Sequence, residues 1–208
     1  MAATPPRHFS MIREFHLADF LTLANAACGL ASLFFSMQYM SSRSPANFYA
    51  ATACAPAALL FDWLDGRVAR WRRKHSALGR ELDSLADVIS FGVAPAALGF
   101  AAGMSGGWDW LALTYFVCCG VSRLARYNVT AESLSEGKDK VSYFEGTPIP
   151  TTVLLTGLLA MAAWHDRLGE HLYGGVWTVG PCDLHPLSLL FILSGTLMIS
   201  KTLRIPKI

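Results

Sequence analysis

The sequence predicts an all-α integral membrane protein: six transmembrane helices preceded by a short amphipathic helix at the interface. Two observations carry this. Of 208 residues, 53% are hydrophobic and mean hydropathy is +0.37, richer in apolar residues than an ordinary soluble domain. These residues are also gathered into long uncharged runs, and the cations between the runs fall almost wholly on one side.

Residues 1–17 are expected to form the interfacial segment, with Phe9, Ile12 and Phe15 at helical spacing beside Arg7, Arg13 and Glu14. The N-terminus lacks the cleavage-site pattern of a removed signal peptide, so the first span is expected to be retained. That span, 18–40, rests on 21 uncharged residues from Phe20 to Met40. The second, 47–73, begins with only 15, from Asn47 to Phe61, before Asp62 interrupts them. At 1.5 Å per residue such a run reaches about 22 Å, so the helix must continue into its charged segment to cross about 30 Å of hydrocarbon. Val88 to Trp108, again 21 residues, supports the third span at 81–104. The fourth, 108–128, starts with 13 residues from Trp110 to Ser122 and must include Arg123 and Arg126. Gly146 to Trp164 supports the fifth at 148–165, and Leu184 to Ser200, with His185 at its edge, the sixth at 185–203. Four runs of this length are more than a soluble core of this size needs. One domain is expected over 1–208, with the bundle at 18–203.

Charge orients the layout. Six spans put both termini on one side with the 66–80 and 123–145 segments, and that side carries fifteen of the 17 Lys and Arg residues. Only Arg43 and Arg167 lie opposite, a bias that makes the first side cytoplasmic. Removing Arg67, Arg70, Arg123 and Arg126 as possible functional groups still leaves eleven against two. The five cysteines suggest no disulfide framework, and the six histidines show no zinc spacing. Nothing points to nucleic acid. The same layout suits a bacterial inner membrane and the endoplasmic reticulum alike.

One segment breaks the apolar pattern in an ordered way: Asp62-x2-Asp65-Gly66-x2-Ala69-Arg70-x8-Gly79-x3-Asp83-x3-Asp87. Ionisable groups near lipid cost roughly 2.5–3.5 kcal/mol each on insertion scales, so they mark function. Asp62 and Asp65 are i, i+3 and Asp83 and Asp87 i, i+4, so each pair shares a helix face. The polar Lys74-His75-Ser76 turn, with Ser76 as N-cap, can fold the two helices antiparallel and bring the pairs together. Four like charges need a cation, and an all-oxygen ligand set selects Mg²⁺ or Mn²⁺. Gly66, Ala69 and Gly79 are small where a side chain would obstruct a ligand, and Arg70 offers a planar fork to phosphate. Together these point to phosphoryl transfer on a diphosphate, with a carboxylate accepting the attacking hydroxyl's proton. A transporter with an acidic intramembrane network is the reading from another class.

In every fixed position the grid resembles the signature of the CDP-alcohol phosphotransferase family. The resemblance implies six transmembrane helices, a homodimer, and a cytoplasmic-side site with two divalent metals, at which an alcohol displaces CMP. By matching position, Asp62, Asp65 and Asp83 would ligate metal with Asp87 sharing in it. Asp87 would be the general base, and Gly66, Ala69, Arg70 and Gly79 would line the CDP site. Leu21-Thr22-Leu23-Ala24-Asn25 resembles the first-helix segment whose polar side chains, here Thr22 and Asn25, approach the nucleotide.

The flanking sequence resembles the branch of that family that uses CDP-diacylglycerol and L-serine to make phosphatidylserine and CMP. The segments are Glu81 to Pro95, Ser122-Arg-Leu-Ala-Arg-Tyr-Asn128, Phe144 to Pro150 and Thr202 to Lys207. Tyr127 departs from the phenylalanine more usual there. Arg123 and Arg126, i, i+3 on the fourth helix, could grip the serine carboxylate or a lipid phosphate, with Tyr127 beside them, or serve only as topology charges. Phosphatidylglycerolphosphate and phosphatidylinositol synthases share the grid and are the rivals within the family.

Overall fold

The computed structural model describes residues 16–72, 77–135, 143–200 and 204–206. The interfacial helix expected at 1–17 and the Ser76 cap therefore lie outside the described residues, apart from His16 and Leu17. Helix α1 (Leu17–Ser42) packs along α2 (Pro45–Arg72). A third rod combines α3 (Ala77–Asp87), a π-helical turn (Val88–Val93) and α4 (Ala94–Ala102). Then come α5 (Gly107–Ser135), a 3₁₀ turn (Ile149–Thr152) leading into α6 (Val153–Trp164), and α7 (Ser188–Ile199). Leu17–Ser42 and Leu78–Ala102 are long and apolar enough to cross a membrane.

Helix α1 shows why a bilayer suits this chain. Its buried residues are Asp19, Thr22, Asn25, Gly29, Ser32, Ser36 and Tyr39, while Phe20, Leu23, Leu30, Phe34 and Met37 face outward. That is the reverse of a helix facing water, and it is favourable where the surroundings are hydrocarbon. Small residues let α1 and α2 approach closely: Ser32 Oγ donates to the Ala51 carbonyl at 2.9 Å, and Ala51, Ala55 and Ala58 are buried in the seam. Tyr39 and Phe48 close its far end edge to face, with ring centroids 4.9 Å apart.

The third rod begins near the expected position but contains a π-helical turn that the sequence pattern does not announce. Pro95 has no N–H to give the carbonyl of Phe91 four residues back. That carbonyl instead accepts the Thr152 hydroxyl at 2.8 Å, which ties the turn to the start of α6. The Ala94 N–H bonds to Ile89 O, an i→i−5 step that places an extra residue in the turn just after Asp87.

Helix ends differ from expectation, and α7, the sixth expected span, stops at Ile199, with Ser200 already extended, rather than at 203. Helix α5 runs on to Ser135 because Val129 to Ser135 contains no glycine or proline to stop it. Helix α7 starts only at Ser188 because His185 and Pro186 are held in a turn. At that far end, Asp109 is fully buried and accepts hydrogen bonds from His185 N–H at 2.9 Å and Gly106 N–H at 3.0 Å. His185 Nδ1 lies 2.6 Å from its other oxygen contact, Asp109 Oδ2. The antiparallel hairpin β2 (Trp177–Val179) and β3 (Cys182–Leu184) is held there too, Trp108 Nε1 donating to Val179 O at 2.8 Å.

At the opposite end a short antiparallel pair joins two segments far apart in the chain. These are β1 (Tyr143–Glu145) and β4 (Arg204–Pro206), with Phe144 opposite Ile205. All five cysteines are free thiols.

Candidate active site

The site lies where α1, α2, the α3 end of the third rod and α5 converge. One turn of α2 presents Asp62 and Asp65, and one turn of α3 presents Asp83 and Asp87, as the i, i+3 and i, i+4 spacings require. Oxygens of Asp62, Asp83 and Asp87 all lie within 4.8 Å of one another. Asp87 and Asp65 are buried, at 7% and 5% exposure, and Asp62 and Asp83 half-buried. Carboxylates at this spacing in a poorly hydrated cleft repel strongly, and among the described residues no ion pair offsets them. Asp83 Oδ1 is buried without a hydrogen-bond donor among the described residues. An all-oxygen cluster with an unspent lone pair fits a hard divalent cation, which identifies the cluster as a candidate metal site.

Helix α1 supplies side chains that hold the carboxylates. Thr22 Oγ1 donates to Asp65 Oδ2 at 2.7 Å, so Asp65 stands beside the three-carboxylate cluster with one oxygen occupied. Asn25 Nδ2 donates to Asp87 Oδ1 at 3.1 Å, and the backbone carbonyl of Asn25 accepts Ser90 Oγ at 2.8 Å. Thr22 and Asn25, i, i+3 on α1, are both buried. Sequence reasoning missed a fifth carboxylate: Asp19, one turn before Thr22 on the same face, is buried within electrostatic reach of Asp65. Its Oδ2 accepts the His16 N–H at 2.6 Å, closing the helix N-terminus as a capping box. The only signal in the sequence was its position at the border of the first apolar run.

The small residues and cations surround this cluster. Gly66 has space above it: among the described residues a methyl there would meet only the Arg70 guanidinium, 3.7 Å away. Arg70 is exposed, Gly79 half-buried, and Ala69 lies in α2 one residue before Arg70. Arg123 of α5 is half-buried and faces both Asp87 and Tyr127 electrostatically, and its Nε is buried with no partner among the described residues. Arg126 is half-buried and Tyr127 exposed, on the following turn. Asn128 links α5 to the back of α3, accepting from Ser84 Oγ at 3.1 Å and donating to Glu81 Oε2 at 3.2 Å. That link ties α5, which carries Arg123, to α3, which carries Asp87.

Comparisons with known proteins agree with this chemistry. The family model described as CDP-alcohol phosphatidyltransferase matches residues 15–183. A CDP-diacylglycerol–serine O-phosphatidyltransferase of Saccharomyces cerevisiae is 42% identical over 205 residues, 96% of this chain and 74% of the relative. One of the same name from Mycobacterium tuberculosis H37Rv is 34% identical over 167 residues, 79% of this chain and 53% of the relative. This chain thus spans about half the length of that bacterial protein. An archaetidylserine synthase of Methanothermobacter thermautotrophicus is 35% identical over 155 residues, 73% of this chain and 60% of the relative. The chain belongs to the CDP-alcohol phosphatidyltransferase family.

Proposed function

We propose that this protein transfers the phosphatidyl group of CDP-diacylglycerol to the hydroxyl of L-serine, giving phosphatidylserine and CMP. The observation that carries the reading is the placement of Arg123. A half-buried guanidinium, its Nε without a partner among the described residues, lies within electrostatic reach of Asp87, one of three clustered carboxylates suited to a diphosphate's counter-ions. An acceptor that carries its own carboxylate can bind Arg123 and present its hydroxyl to Asp87. The names of the yeast and bacterial relatives support the same donor and acceptor.

In the proposed reaction, Asp87 takes the proton of serine Oγ as that oxygen forms a bond to the phosphorus bearing diacylglycerol. The bond from that phosphorus to the bridging oxygen breaks, and CMP leaves with the electron pair. Mg²⁺ or Mn²⁺, two ions by family resemblance, would be held by Asp62, Asp65, Asp83 and Asp87 and would neutralise the diphosphate. Gly66, Ala69, Arg70 and Gly79 line the nucleotide side, with Thr22 and Asn25 below it. Arg123, Arg126 and Tyr127 form the acceptor side. The six helical segments, α1, α2, the α3–α4 rod, α5, α6 and α7, are six spans of one domain. The site faces the cytoplasm, and the protein works as a homodimer.

The test is purified protein with CDP-diacylglycerol and Mn²⁺ or Mg²⁺, offered serine, glycerol 3-phosphate or inositol in turn while CMP is followed. Turnover with serine is expected. Turnover only with another alcohol would move the protein to the phosphatidylglycerolphosphate or phosphatidylinositol branch, and no CMP with any alcohol would leave a transporter.

A further inference from the structure

We propose that Asn25 is a positioning residue for Asp87: its side-chain amide fixes the carboxylate plane, so that the second oxygen of Asp87 is the one offered to the acceptor hydroxyl. The proposal rests on the assignment of Asp87 as the base, and it gives Asn25 a role separable from a nucleotide contact.

Three observations support it. Asn25 is fully buried, and its Nδ2 donates to Asp87 Oδ1 at 3.1 Å across 62 residues of sequence. The amide orientation follows from the partner: a flipped side chain would set two acceptor oxygens against each other. Its own Oδ1 then has no donor among the described residues. A buried carbonyl without a donor weakens a fold, so packing alone would favour an apolar residue of similar size at this position.

The place of Asn25 is itself fixed. Ser90, three residues past Asp87 in the π-helical turn, donates its hydroxyl to the Asn25 backbone carbonyl at 2.8 Å. One turn further along α1, Gly29 lies so close to that turn that a methyl there would sit 2.7 Å from Ser90 Cα. Helix α1 is thus seated on the backbone that carries Asp87. The distance from Asn25 to the carboxylate is set by packing.

A hydrogen bond to one carboxylate oxygen leaves the other as the free acceptor and removes rotation about the Cβ–Cγ bond. For a base that must meet a hydroxyl near 3 Å, such orientation acts on the chemical step and leaves substrate affinity alone. Thr22 holds Asp65 in the same manner one turn earlier, so one face of α1 braces a carboxylate from each half of the grid.

The experiment is steady-state kinetics of the full-length protein in vesicles with Asn25→Leu, close to asparagine in size and lacking the amide, and with Ser90→Ala. CMP release is followed with whichever alcohol the wild type accepts. Asn25→Leu is expected to lower kcat by about 30-fold or more while both KM values stay within about twofold of wild type. Ser90→Ala, which keeps the amide but loosens its seat, is expected to lower kcat several-fold by the same logic. Asn25→Leu is also expected to add less than about twofold to the loss caused by Asp87→Asn, because the two act as one unit.

A rise of about tenfold in KM for CDP-diacylglycerol with kcat intact would overturn the proposal in favour of a nucleotide contact. Unchanged kcat and KM would overturn it in favour of space filling. Should Asn25→Leu fail to fold, Asn25→Ser is read in the same way. Failure of the base assignment is distinct, since it appears as full activity of Asp87→Asn.

Discussion

Substituting Gly29 by alanine perturbs the site without touching any group in it. The added methyl would lie 2.7 Å from Ser90 Cα, 2.6 Å from Ser90 Oγ and 3.0 Å from Ile89 Cγ2. The serine hydroxyl could rotate away, but the Cα atom is backbone of the π-helical turn. Helix α1 must therefore retreat from that turn by roughly 0.7–1 Å to restore ordinary carbon–carbon contact. Overpacking of this kind costs about 1–3 kcal/mol of stability. The larger consequence is catalytic: Asn25 and Thr22 move with α1, and their hydrogen bonds to Asp87 and Asp65 are 3.1 and 2.7 Å long with little to spare. A misplacement near 1 Å costs about 100-fold in rate. The assay compares kcat for CMP release with the unfolding temperature in detergent, read with a thiol-reactive dye on the free cysteines. We expect a loss of about 100-fold in kcat with a fall of only a few degrees in unfolding temperature. Wild-type kcat in a folded Gly29→Ala protein would refute the argument that α1 is seated rigidly on the π-helical turn.

Other predictions concern single side chains. Asp83→Asn, which removes one charge from the three-carboxylate cluster, is expected to lower turnover about 100-fold and to raise the Mn²⁺ concentration needed for half-activity; unchanged Mn²⁺ dependence would count against the metal site. Arg123→Lys keeps the charge but loses the planar fork, so KM for serine is expected to rise about tenfold with KM for CDP-diacylglycerol unchanged; the reverse pattern would assign Arg123 to the lipid phosphate. Asp109→Ala strips the buried His185 N–H and ring of their acceptor and should cost about 2–5 kcal/mol. It lies at the far end of the bundle, so catalytic constants measured well below the unfolding temperature are expected to stay at wild-type values, and a selective loss of kcat would contradict that separation.

The main helices were legible because an uncharged run near twenty residues matches the thickness of a hydrocarbon core, and the grid because four aspartates among such runs are conspicuous. Even the short runs before Asp62 and Arg123 pointed correctly to helices that continue into charged sequence. What escaped the sequence was set by contacts between distant residues. Val88 to Val93 has the composition of an ordinary helix, and only Pro95, by withholding an N–H from Phe91, hints at the π-helical turn. Asn25 and Thr22 pointed to a nucleotide neighbourhood, but their aspartate partners lie 62 and 43 residues away and no periodicity encodes them. His185 looked like a stray polar residue at a helix edge because its partner, Asp109, is 76 residues earlier. Asp19 was hidden by its position, since a charge at the border of an apolar run ordinarily marks the end of a span.

The central claim is that one carboxylate site couples loss of CMP to capture of serine. Its most direct test is to reconstitute the protein in vesicles containing CDP-diacylglycerol, add Mn²⁺ and labelled serine, and measure CMP and lipid-bound serine in the same samples. One CMP is expected for each serine incorporated, with both signals absent when the divalent cation is chelated. Serine crossing the vesicle without CMP release, or CMP released at the same rate with serine withheld, would contradict the account.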